Sequence, residues 1–82
     1  MFGATQGAFA TKAVAKEVSL LPVPQGWGFQ EAAGLFVTAP TSYGALVVRA
    51  GVKAGDYVLV HAAAGGVGLA AVQSMFPKAY LI

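Results

Sequence analysis

A run of small residues directly after an apolar stretch constrains the fold of this chain more than any other feature. The run reads Ala63-Ala64-Gly65-Gly66-Val67-Gly68, and the stretch before it, residues 57–61, is rich in valine and leucine. Apolar residues without polar alternation predict a parallel strand that is covered on both faces. Residues 66–76 show helical spacing of small and apolar side chains, and Pro77 is expected to end that helix. The sequence therefore predicts a strand, a tight turn and a helix.

Each small residue of this turn has a physical role in the dinucleotide-binding pattern G-x-G-x-x-G, although alanine occupies the first glycine position here. A small first residue lets the chain leave the strand sharply. Gly65 lets a pyrophosphate approach the backbone, and Gly68 lets the helix pack closely on the strand. Backbone N–H groups at the start of the helix then favour an anion. The pattern indicates a dinucleotide site, and a glycine-rich turn without a ligand is the alternative.

The first half of the chain predicts a strand, a connector and a short helix. Alternating residues predict a strand over residues 7–17. Residues 21–24 contain two prolines and predict a rigid extended connector, followed by a turn over residues 25–28. Residues 29–36 predict a helix with Gln30 and Glu31 in its first turn, where acidic groups suit the helix dipole.

A second helix is predicted to begin near Pro40, with Thr38 as its cap. Its apolar stripe consists of Tyr43, Leu46, Val47 and Ala50. We expect Tyr43 to pack in the core and Gly51 to end the helix. Residues 53–56 predict a turn that leads into the strand at residues 57–61.

Composition narrows the possible functions. Of 82 residues, 57% are hydrophobic and 10% are charged, so we expect surfaces that pack against further protein. The net charge of +2 is spread over isolated basic residues, which argues against nucleic-acid binding. The absence of cysteine excludes thiolate zinc sites within this stretch and fits a reducing, cytoplasmic location. The long uncharged segment after Asp56 contains glycines and His61, so we predict neither a membrane span nor membrane association.

Residues 58–73, Val-Leu-Val-His-Ala-Ala-Ala-Gly-Gly-Val-Gly-Leu-Ala-Ala-Val-Gln, closely resemble the nucleotide-binding turn of the quinone oxidoreductase (zeta-crystallin-like) group of zinc-free medium-chain dehydrogenases/reductases. Three upstream segments resemble the same family in the same order, namely residues 21–33, 41–46 and 54–56. The resemblance covers roughly residues 7–73 and identifies the chain as a fragment of such a reductase. It implies an α/β fold with a partial Rossmann-like unit, one strand–turn–helix, preceded by a strand and interdomain helices of the catalytic domain.

The resemblance also implies domain boundaries and a cofactor. Residues 1–38 correspond to the C-terminal piece of a GroES-like catalytic domain, and residues 39–82 to the incomplete start of a dinucleotide-binding Rossmann domain. The implied cofactor is NADPH (NADP), which reduces quinones, enones or related electron-poor carbonyl compounds. The full-length protein would bind such a small molecule and would form a homodimer in some members.

Site residues follow from the resemblance residue by residue. Thr41 matches a threonine that contacts the nicotinamide end of the cofactor, although a role as a helix cap is an equal alternative. The residues that match the pyrophosphate-binding turn are Ala63, Ala64, Gly65, Gly66, Val67 and Gly68. No catalytic residue is assigned, because His61 is better explained as a strand-end residue, and Asp56 and Glu31 as turn and helix-start residues. Residues 35–40 lack the cysteine ligand of related zinc enzymes, so no metal site is expected.

Alternative interpretations remain at this level. The chain could be part of an enoyl reductase domain of a larger synthase, because such domains share this glycine turn. It could instead be a non-catalytic short product or an interaction segment. We expect the isolated chain to bind NADPH weakly or not at all and to lack reductase activity, since the adenosine and nicotinamide pockets are incomplete.

Overall fold

The computed structural model describes residues 1–76 and 78–81 of the chain and shows a mixed α/β fold. The chain divides into two compact units, Met1–Val37 and Thr38–Ile82. Among the described residues, no helix combines the length and the apolar character needed to cross a bilayer.

The N-terminal unit is built on a two-residue antiparallel ladder. Strand β1 (Phe2–Gly3) pairs with β2 (Leu20–Leu21), with Phe2 opposite Leu21. A 3₁₀ turn, Glu17–Ser19, leads into β2, and helix α1 (Phe29–Ala33) follows. Ala32 is buried, and the rings of Phe2 and Phe36 meet edge to face at 6.2 Å between centroids. These contacts form a small apolar centre for this unit.

The strand predicted over residues 7–17 is wrong. Residues 7–16 form a loop of turns, bends and irregular backbone. The Thr5 hydroxyl donates to the Val14 carbonyl at 2.7 Å and holds this loop. Val14 is 92% exposed and Phe9 is fully exposed. Alternation predicts a strand only where a neighbouring strand takes the backbone hydrogen bonds and one face is buried, and neither condition holds here.

The helices of the middle segment differ from the prediction at Pro40. Helix α1 ends at Ala33, and Gln30 and Glu31 lie in its first turn as expected. Helix α2 (Leu35–Tyr43) then contains Pro40 in its interior, so the prediction that Pro40 begins the helix is wrong. A proline cannot donate a hydrogen bond to the carbonyl four residues earlier, and its ring crowds that carbonyl. Here that carbonyl belongs to Phe36 in the first turn of α2, and the helix continues through Pro40.

A π-helical segment, Gly44–Arg49, continues α2. The Ala50 N–H bonds to the Ala45 carbonyl five residues earlier, at 2.9 Å. This wider turn moves residues spaced by three or four off a common face. Tyr43, the last residue of α2 before this segment, is 55% exposed, and the prediction of core packing is wrong. Gly51 has φ of 62° beyond the helix end, which confirms it as the stop.

The C-terminal unit contains a parallel ladder and the best-defined helix. Strand β3 (Tyr57–Val58) pairs in parallel with β4 (Tyr80–Leu81), and the rings of Tyr57 and Tyr80 stack at 4.8 Å. Among the described residues, the strand predicted over residues 57–61 is paired at Tyr57 and Val58. Leu59 and Tyr57 are exposed, so the expectation of a strand covered on both faces is wrong.

Helix α3 (Gly66–Met75) confirms the predicted helix to within one residue. Phe76 is extended with ψ of 134°, as expected of a residue that precedes proline. Pro77, predicted to end the helix, and Ile82 lie outside the described residues. Ala71 and Met75 of α3 are buried with Ser42 of α2. These three residues mark the core of the unit, which lies beside the glycine turn.

Candidate functional site

The glycine turn has a tightly bent backbone between the end of β3 and the start of α3. Residues 61–64 form a turn in which Ala62 adopts φ of 52°, a conformation that costs an alanine energy. Its carbonyl accepts a hydrogen bond from the Gly65 N–H at 3.0 Å. The chain thus reverses within four residues and delivers Gly65 to the N-cap position of α3.

Gly68 brings helix α3 against the backbone of this turn. A Cβ at Gly68 would lie 2.8 Å from the Cα of Ala63 and closer still to the Ala62 carbonyl oxygen. Side chains do not tolerate such approaches to rigid backbone. At Gly65 the added Cβ would lie 3.3 Å from the same carbonyl oxygen. Glycine at position 68 is therefore a packing requirement of the turn, as the sequence pattern predicts.

The first turn of α3 presents backbone N–H groups without partners in the helix. The first helical hydrogen bond runs from the Leu69 N–H to the Gly65 carbonyl at 2.7 Å. The three preceding amides, those of Gly66, Val67 and Gly68, therefore have no acceptor within α3. The N-cap residue is a glycine and supplies no side-chain cap. This end of the helix favours an anion.

A cavity of about 530 Å³ borders the glycine turn inside the C-terminal unit. It lies between the α2–π helical segment, the end of β3 and the first two turns of α3. Its lining is mostly apolar, with a few polar groups. The lining residues are Ser42, Ala45, Leu46, Val58, Leu59, Val60, His61, Ala62, Gly65, Gly66, Val67, Gly68 and Ala71. Apolar concave sites of this size with a few polar groups are typical of cofactor pockets.

Ser42 is a site residue that sequence reasoning missed. Its side chain is 2% exposed, and its hydroxyl donates to the Val67 carbonyl at 2.5 Å, which joins α2 to the first turn of α3. Its residue type does not predict burial, because a serine in a helix is usually a surface residue. Its place beside Thr41 was the only feature of the sequence that pointed to the site. The structure therefore adds a polar contact behind the glycine turn.

The predicted site residues are only partly brought together. Gly65 to Gly68 line the cavity, whereas Ala63 and Ala64 lie in the turn and are exposed outside the lining. Thr41 is on the exposed side of α2 next to Ser42 and does not line the cavity. Its role at the nicotinamide end stays a prediction.

Three titratable residues that were not assigned to chemistry occupy different places. His61 lines the cavity and is exposed. Asp56 accepts a hydrogen bond from the Lys53 N–H at 2.8 Å, which confirms it as a turn residue, and Glu31 lies in the first turn of α1. Within residues 1–76 and 78–81, no group of three histidine, cysteine or acidic side chains is placed to hold a metal ion.

Comparison with known proteins gives a consistent result. No family model matches the chain. It is 48% identical over 73 residues to the spectinabilin polyketide synthase system protein NorB of Streptomyces orinoci, and 49% identical over 72 residues to the erythronolide synthase EryA2 of Saccharopolyspora erythraea. These matches cover 89% and 88% of this chain but only 3% and 2% of those proteins. A reducing polyketide synthase of Floropilus chiversii is 59% identical over 51 residues, 62% of the chain.

A solved structure extends the comparison to the fold. The crystal structure of the JamJ enoyl reductase in its apo form superposes with a TM-score of 0.71 and 32% sequence identity. The match covers 78% of this chain and 20% of that one. The predicted mixed α/β fold with a partial Rossmann-like unit is thereby confirmed. The chain is similar in sequence to short segments of polyketide synthases, and its fold is similar to part of the JamJ enoyl reductase structure.

Proposed function

We propose that this chain is part of an enoyl reductase domain of a larger synthase, and that its glycine turn holds the pyrophosphate of NADPH. The observation that carries the proposal is the turn itself: Gly68 packs α3 closely on the turn, and the helix start, whose first amides have no acceptor in α3, borders a cavity. The similarity to polyketide synthases and to the JamJ enoyl reductase supports the reaction class.

The residues present fit a dinucleotide. A Cβ at Gly65 would lie 3.3 Å from the Ala62 carbonyl oxygen. The dinucleotide pattern needs glycine at this position so that a pyrophosphate can approach the backbone. The amides of Gly66 to Gly68 and the helix dipole would hold the pyrophosphate, with the small side chains of Ala63 and Ala64 alongside. Thr41 is assigned to the nicotinamide end by resemblance. When bound, NADPH supplies a hydride for reduction of an electron-poor double bond.

The division of the chain into two compact units supports the assignment of two domains with different roles. The boundary between Val37 and Thr38 agrees with the proposed division between a GroES-like catalytic piece, residues 1–38, and the start of the cofactor domain, residues 39–82. Residues of this chain orient the cofactor and exclude water on the apolar side of the cavity. No proton donor is assigned to them. The substrate and homodimeric assembly belong to the proposal for the complete protein.

The enoyl reductase assignment replaces a free-standing quinone oxidoreductase as the preferred activity. Both share the glycine turn, but the relatives in the comparisons are synthases and the neighbouring structure is an enoyl reductase. The mass of the native polypeptide separates the assignments. A mass near 8.3 kDa would support a non-catalytic short product. A mass of about 35–40 kDa would support a free-standing reductase, and a far larger mass would support a domain of a synthase.

The cofactor assignment is tested with two separate glycine-to-alanine variants, each of which adds one methyl group. Gly65→Ala should weaken NADPH binding about tenfold or more, because the new Cβ obstructs the phosphate approach. Gly44→Ala is the matched control, because a Cβ there meets no atom within 4 Å. Binding is measured by titrating the chain with millimolar NADPH and following ¹⁵N–¹H spectra. Of the two outcomes expected from the sequence, weak binding or none, the assignment requires weak binding at millimolar NADPH, because the whole glycine turn is present in this chain. Equal affinities of the two variants, or no response of the wild-type chain, would therefore contradict the assignment.

A further inference from the structure

Ser42 holds the peptide group on which the glycine turn depends, and we propose that it is a positioning residue for pyrophosphate binding. This inference rests on the proposed function. The Ser42 side chain is 2% exposed, and its hydroxyl donates to the Val67 carbonyl. A buried hydroxyl is stable only when it is hydrogen-bonded, so this contact fixes the serine rotamer and its partner together.

The position of the accepting carbonyl gives the contact its functional meaning. The Val67 carbonyl and the Gly68 N–H belong to one planar peptide group. A hydrogen bond to the carbonyl therefore fixes the direction of the Gly68 N–H. It also polarises that N–H, because linked hydrogen bonds strengthen each other. Gly68 supplies one of the three amides without an acceptor in α3, so Ser42 acts on the anion through this peptide.

Two further observations place the contact at the site. Ser42 and Gly68 both line the cavity beside the turn. The same helix also packs at the neighbouring glycine, since a Cβ on Gly66 would lie 2.8 Å from the Thr38 methyl carbon. Helix α2 thus supports the first turn of α3 from behind, and Ser42 supplies the polar part of that support.

The test compares two serine substitutions in the complete chain. Ser42→Ala removes the hydroxyl behind the turn. Ser74→Ala removes the hydroxyl of α3 that bonds to the Ala71 carbonyl at 3.1 Å, away from the first turn, and serves as the matched control. Ser42→Thr retains a hydroxyl. Each chain is titrated with NADPH, and in parallel with inorganic pyrophosphate, under conditions where its ¹⁵N–¹H spectrum shows a folded protein.

We expect Ser42→Ala to weaken binding of both ligands about threefold to tenfold, the range of one hydrogen bond, with Ser74→Ala and Ser42→Thr within about twofold of wild type. The Gly68 amide proton of the free Ser42→Ala chain should also move upfield, which a general loss of stability would not cause selectively. Three results would overturn this inference and leave the proposed function intact. They are wild-type affinity of Ser42→Ala, an unmoved Gly68 resonance in Ser42→Ala, and failure of Ser42→Thr to restore binding. A wild-type chain that does not respond to NADPH would overturn the proposed function and this inference with it.

Discussion

The two units of the chain are built in different ways. The N-terminal unit relies on a two-residue antiparallel ladder and a long loop whose apolar side chains, such as Phe9 and Val14, are exposed. The C-terminal unit has a longer helix, a parallel ladder and a core marked by Ser42, Ala71 and Met75. Close backbone packing at a glycine fixes the shape of the C-terminal unit within a few residues, whereas the long loop of the N-terminal unit leaves large apolar side chains exposed.

The largest effect that would sharpen this comparison is expected at Gly68. Gly68→Ala should lower the free energy of unfolding by about 2 kcal/mol, because the new Cβ overlaps rigid backbone of Ala62 and Ala63. Gly44→Ala, in open space on the preceding helical segment, should be neutral or stabilising by about 0.5 kcal/mol. Urea unfolding followed by far-UV circular dichroism measures both. Identical unfolding midpoints would show that the turn is not close-packed.

A smaller effect of opposite sign is expected at Ala62. Its φ of 52° favours glycine, so Ala62→Gly should raise the free energy of unfolding by about 0.5–1 kcal/mol. Ala63→Gly is the control in the same turn, and it should lower the stability by about 0.5 kcal/mol, because it only loosens the unfolded chain. Thermal unfolding measures the change in stability of both variants. A loss of stability in Ala62→Gly would contradict the left-handed conformation.

The smallest effect is expected in the N-terminal loop. Val14→Ser should change the free energy of unfolding by less than about 0.5 kcal/mol, because the side chain is 92% exposed. Val58→Ser, in the paired and partly buried β3, should cost about 1 kcal/mol. Both are measured by urea unfolding. A loss at Val14 as large as at Val58 would indicate that residues 7–17 form a covered strand after all.

The glycine turn and helix α3 were predictable because their determinants are local. The backbone is restricted by contacts between near neighbours in sequence. These restrictions lie at Gly65, at Gly68 and at Phe76, the residue before proline. The turn at Asp56 and the stop at Gly51 are local in the same sense, and the structure confirms both. Local restrictions of this kind can be read from a single sequence.

Features that depend on distant residues could not be predicted in the same way. The alternation in residues 7–17 indicated a strand, but strand formation requires a partner that the pattern does not supply. Tyr43 is exposed where α2 passes into a π-helical segment, whereas the periodicity argument assumes α-helical spacing throughout. The role of Ser42 depends on its contact with Val67, which lies 25 residues later in the sequence and beside it in the fold. Its contact has no sequence signature.

A residue-by-residue map of where NADPH perturbs the ¹⁵N–¹H spectrum tests most directly whether the C-terminal unit carries a cofactor site. We predict that the largest shifts fall on the amides of Gly66, Val67 and Gly68 and on the other cavity-lining residues, while residues 2–34 of the N-terminal unit remain unchanged. Shifts concentrated in the N-terminal unit, or no shifts at millimolar NADPH, would contradict a dinucleotide site at the glycine turn.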